Sequence, residues 1–118
     1  DVYKRQKSLD VTIDCDNLDA RELGTMGIPA RFDLCNIEGF EDTNGTMHPA
    51  EDVREAISAL GFPIEDAVKD KPSIRLKIDK MFTGLLTGFP GNNNFILTVT
   101  ENNGLSTTKT LKYYVPAN

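Results

Sequence analysis

Asp14, Asp16, Asn17 and Asp19 place four oxygen-bearing side chains within six positions, the densest acidic cluster of the chain. Calcium prefers several oxygen ligands at once, and inter-strand loops of sandwich domains supply such sets. Asp14, Asp16 and Asp19 are therefore the candidate metal ligands, and calcium is the one cofactor that the residues suggest. Two features weigh against it: Leu18 stands where an EF-hand-like loop needs its third oxygen, and no glycine follows at the sharp turn. The competing reading is a solvated loop in which Asn17 or Asp19 caps a helix. Glu38, Glu41, Asp42 and Asn44 form a looser second cluster with the same two readings.

Cys15 and Cys35 are the only cysteines. An even count permits a disulfide in an extracellular module. Cys15 also shares parity with Val11 and Ile13, so as a core thiol it needs no partner. Cys35 has the opposite parity to Leu34, which puts it on a different face. His48, the sole histidine, precedes Pro49 and lacks any Gly-x-Ser-x-Gly or similar signature; it reads as a residue flanking a helix. Paired carboxylates cleave glycosidic bonds in many enzymes. No Asp or Glu here sits in an apolar setting that would raise its pKa, so a small hydrolase is the remotest alternative. Tyr113 and Tyr114 point to opposite faces of one strand, which leaves one ring exposed. Phe40 is the other exposed-ring candidate, so Phe40 and Tyr114 are the candidate ligand contacts of a carbohydrate-binding module. The absence of Trp weakens that reading.

These residues must be positioned by elements that the hydrophobic pattern reveals. Leu9, Val11, Ile13 and Cys15 alternate with Asp10, Thr12 and Asp14, which predicts a half-buried strand. A short helix is expected over about 19–26, and Phe32-Asp33-Leu34 reads as a short extended piece. Residues 36–48 are polar and glycine-bearing and read as a flexible loop. Val53, Ala56, Ile57 and Leu60 form one apolar stripe at helical spacing, after Pro49 and the acidic Glu51 and Asp52, which predicts a helix over about 49–60. A strand is expected at Ser73–Asp79 and a brief helix over about 79–87. Phe95, Leu97 and Val99, then Leu111, Tyr113 and Val115, alternate on either side of a Glu101-Asn102-Asn103-Gly104 break, the pattern of an antiparallel hairpin. Gly27-Ile28-Pro29, Gly61-Phe62-Pro63 and Gly88-Phe89-Pro90 read as three helix stops of one chemistry. Strands at both ends and helices in the middle predict a mainly β fold with inserted short helices, an antiparallel β-sandwich.

At 118 residues with 39% hydrophobic content, the chain suits a single domain with one core. A formal charge of −5 disfavours nucleic acid and anionic membrane surfaces as partners. No apolar run approaches the ~20 residues of a transmembrane helix. The opening Asp1-Val2-Tyr3-Lys4-Arg5-Gln6 resembles the in-frame translation of a transposon-end adapter used to prepare sequencing libraries. On that reading residues 1–6 are artefactual and 7–118 form the domain, with native strands missing before Ser8 and one sheet edge left open.

The segment from Phe95 to Leu111 resembles the last two strands of PKD-like and immunoglobulin-like domains, which carry an aromatic-x-Leu-Thr-Val-Thr-Asp-x-x-Gly hairpin; here Glu101 stands in the Asp place. Phe32-Asp33-Leu34-Cys35-Asn36, Leu60-Gly61-Phe62-Pro63, Asp66-Ala67-Val68-Lys69 and Ser73–Leu86 resemble, in order, pieces of modules in the surface lipoproteins of gut-commensal bacteria. The resemblance spans roughly residues 8–116, apart from the Asn36–His48 insertion. It implies a non-catalytic spacer or adhesion module, extracellular or attached to the outer membrane. Neighbouring domains of a longer parent chain, and a protein or glycan at the cell surface, are the implied partners. Such modules often lie beside carbohydrate-handling domains.

Overall fold

The computed structural model describes residues 6–69 and 88–117. The strand and helix expected over 73–79 and 79–87 lie outside these residues. Within them the chain is mainly β, in antiparallel sheets.

β1 (Gln6–Cys15) is central, because Leu9, Val11 and Ile13 all turn to one face and are at most 7% exposed. It pairs antiparallel with β2 (Arg31–Asp33) on one side and with β5 (Gly91–Glu101) on the other. β6 (Ser106–Val115) follows β5 as a hairpin, giving the strand order β2-β1-β5-β6. The turn between them accounts for the Asn-Asn-Gly sequence. Gly104 N–H donates to the Glu101 carbonyl at 2.9 Å, and Gly104 then adopts φ +90°, a conformation that costs a residue with a side chain. Register follows: Phe95 faces Leu111, and Asn93 faces Tyr113, all on the core side.

Among the described residues, three short helices and the segments between them cover the core face of the sheet. α1 (Ala20–Thr25) starts at Asp19, whose carboxylate accepts from Glu22 N–H at 2.9 Å, and contributes Leu23. α2 (Ala50–Ala59) buries Val53 and Ile57 completely while Glu51, Asp52 and Glu55 face solvent. Burying each of those side chains stabilises the fold by about 1.5–3 kcal/mol. α3 (Asp66–Lys69) lies against β1 and contributes Val68. Gly27 and Gly61 end the first two helices at φ +78° and +98°, the left-handed C-terminal geometry that two of the Gly-x-Pro stops predict.

The opposite face of the sheet is polar. Thr98 and Thr108 hydroxyls meet across β5 and β6 at 3.1 Å, and Thr100 and Ser106 at 3.0 Å. Ile96 is a half-buried apolar residue among them. A one-residue register slip would exchange this hydroxyl face with Phe95 and Leu97, so the pairing is strongly specified.

The flexible loop expected over 36–48 is corrected by the structure. Ile37 is buried in the core, and β3 (Phe40–Glu41) pairs antiparallel with β4 (Met47–His48). Polar composition concealed this because the order comes from side chain to backbone hydrogen bonds. The Asp42 carboxylate accepts from Asn44 N–H at 2.9 Å and Thr46 N–H at 3.0 Å, an Asx turn that closes the hairpin.

Candidate functional site

The acidic cluster does not converge on a metal site. Asp16 Oδ2 accepts from the backbone N–H of Asn92 at 2.8 Å and so pins the end of β1 to β5. Asp19 caps α1, and Asp14 is exposed. Among the described residues no group of three or more His, Cys, Asp or Glu side chains is arranged to hold a metal ion. Asp14, Asp16 and Asp19, the calcium candidates, are thus not gathered round one point: Asp16 and Asp19 each give one carboxylate oxygen to a backbone amide, and Asp14 is turned to solvent.

The bridge considered between Cys15 and Cys35 is not formed. Leu34 N–H donates to the Leu9 carbonyl, so Cys35 lies beside the start of β1, whereas Cys15 is its last residue. The intervening strand spans roughly 20 Å at about 3.3 Å per residue. A disulfide needs Cα atoms within about 7 Å. Cys35 joins the same core as the β1 side chains, against the expectation of a separate face. Burial pushes the Cys15 thiol up to about 11, with the Asp14 and Asp16 carboxylates adding to the effect.

Phe40 and Tyr114 do not form one platform. Tyr114 is 65% exposed on β6, at one edge of the sheet, while its neighbour Tyr113 packs against the core. Phe40 lies beyond the other edge and packs on His48, with ring centroids 4.9 Å apart and planes inclined by 18°. Two strands, β1 and β5, separate β6 from the β2 edge. His48 does flank α2, and its Nε2 is 2.8 Å from Asp42 Oδ2. That contact and the two backbone N–H bonds hold the Asp42 carboxyl below the ordinary carboxylate value.

A cavity of about 420 Å³ opens where β2 meets the segment leading into β3. Asp10, Arg31, Asp33, Asn36, Glu38 and Phe40 line it, with Pro29, Phe32 and Gly39 completing the wall. Asp10 faces Asp33 and Thr12 faces Arg31 across β1 and β2, which brings Asp10, Arg31 and Asp33 to the polar side of the sheet. Asp33 Oδ1 accepts from Leu9 N–H at 3.0 Å and Cys35 N–H at 2.9 Å, fixing the bend after β2. Gly39 permits the return path: a Cβ there would meet the His48 carbonyl oxygen at 2.6 Å. Of these residues the sequence singles out Phe40 as a ligand contact and Glu38 as a member of the second acidic cluster. Asp10 and Arg31 look like ordinary solvent-facing strand positions until the hairpin is placed beside them.

No family model matches the chain, no curated protein matches it in sequence, and no solved structure matches it in fold. Among the described residues no helix is long and apolar enough to cross a membrane.

Proposed function

We propose that the chain is an immunoglobulin-like, PKD-like module of a bacterial surface protein that binds or spaces and performs no chemistry. One observation supports this reading above others: the carboxylates drawn into hydrogen bonds with the backbone are structural. Asp16 joins two strands, Asp19 caps a helix, Asp33 fixes a bend and Asp42 closes a hairpin. A general acid or base needs a titrating group aimed at a reacting atom, and these groups are aimed at backbone amides. The β5–β6 hairpin, with its Glu101-Asn102-Asn103-Gly104 turn, is the part that the resemblance to PKD-like domains rests upon.

Surface location is tested by adding protease to intact cells that express the parent gene with an epitope next to this module. Cleavage without lysis is the expected result, and protection until lysis contradicts the reading. Catalysis is tested separately, by incubating the purified chain with glycans and ester substrates; formation of any product refutes the non-catalytic assignment.

A further inference from the structure

We propose that the cavity at the β2 edge binds a neutral sugar unit, with Phe40 under the ring and Asp10, Arg31, Asn36 and Glu38 on its hydroxyls. The proposal rests on the module reading above, because it names what that module holds. Its volume, about 420 Å³, falls within the roughly 300–1,000 Å³ of small-molecule sites.

Asp33 is committed to backbone amides, but Asp10, Arg31 and Glu38 in the same lining hold no part of the backbone. The side chains of Asp10 and Arg31 make no hydrogen bond or ion pair among the described residues, and Glu38 has only a 3.3 Å contact from Asn36 Nδ2. Arg31 offers a fork of donors, the carboxylates offer acceptors, and Asn36 offers both. Vicinal hydroxyls, each a donor and an acceptor, satisfy such a mixed set without bringing a charge of their own. An anionic ligand would face the three carboxylates of Asp10, Asp33 and Glu38, and the Arg31 guanidinium offsets one of those charges against a cationic ligand. Phe40 supplies the apolar wall that the C–H face of a pyranose needs. Its stacking on His48 holds the ring in place before any ligand arrives.

The test is amide chemical-shift mapping of the full chain with neutral disaccharides of gluco, manno, galacto and xylo configuration. Glucuronic acid and glucosamine serve as the charged comparisons. The proposal expects a neutral disaccharide to shift signals of Asp10 and of residues 31–40. It also expects Arg31→Gln and Glu38→Gln each to raise Kd about tenfold with an unchanged urea midpoint, and Tyr114→Ala to leave Kd unaltered. It is overturned if no neutral sugar shifts these signals, if the shifts map to β6 around Tyr114, or if a charged sugar binds more tightly. Sugar that binds in the cavity and is then cleaved supports this inference and refutes the non-catalytic reading. Absence of binding refutes this inference and leaves the module reading standing.

Discussion

His48 Nε2 and Asp42 Oδ2 are 2.8 Å apart, and this contact ties the end of β4, just ahead of α2, to the turn of its own hairpin. The same carboxylate accepts from Asn44 and Thr46 N–H, so one side chain organises the segment that carries Phe40.

The Asp42 carboxyl is held below its ordinary value of 3.8, first by His48 and then by the Thr46 amide. A depressed folded-state pKa means that the unfolded chain binds more protons as the pH drops. The contribution is thus complete above about pH 4–5 and is lost as pH falls through the folded value. Urea midpoints of the wild type and Asp42→Ala should differ at neutral pH and converge as acidification carries the pH below the ordinary carboxylate value and through the lower folded one. A gap that does not change with pH would remove Asp42 from this role.

Leu97 is 7% exposed and packs on the core face of β5. Leu97→Ala should destabilise the chain by roughly 2–5 kcal/mol. Thr108→Ala, on the exposed hydroxyl face, should stay within about 1 kcal/mol. Chemical unfolding of both variants checks the face assignment, and similar costs would contradict it.

The two cysteines are separate, so a reductant should leave the urea midpoint unchanged, and alkylation in denaturant without reductant should modify both. With the Cys15 thiol pushed up to about 11, its reaction with a thiol reagent at neutral pH in the folded state should be far slower than that of a free cysteine. A midpoint lowered by reductant would reinstate the bridge.

Gly39→Ala places a Cβ at 2.6 Å from the backbone oxygen of His48, which cannot rotate away. The hairpin must shift, at a cost of about 1–3 kcal/mol. Amide signals of Phe40 and His48 should move while those of the β5–β6 hairpin stay in place. Unchanged spectra would mean that the return path after β2 is not as close as the structure has it.

Much of the sheet is legible in the sequence because its signal is local. Leu9, Val11 and Ile13, and Phe95 and Leu97, alternate with polar residues, and Gly104 marks the turn that the left-handed conformation requires. α1 and α2 are legible for the same reason, through the Asp19 cap and the Val53–Ile57 stripe. The 36–48 hairpin is not, since its order depends on where one carboxylate points. The cavity is less legible still. Asp10 and Arg31 are far apart in the chain and meet only through strand pairing, whereas Asp16 and Asp19 of the conspicuous acidic run serve backbone amides.

Some carboxylates hold the fold and other side chains are left for a ligand, and Asp33 and Glu38 stand on either side of that division within one cavity. Urea unfolding of Asp33→Ala and Glu38→Ala measures that division directly. Asp33→Ala should cost about 1–3 kcal/mol, because Leu9 and Cys35 amides lose their acceptor. Glu38→Ala should stay within about 0.5 kcal/mol. Equal losses would show that the cavity wall is part of the scaffold, and the division would fail.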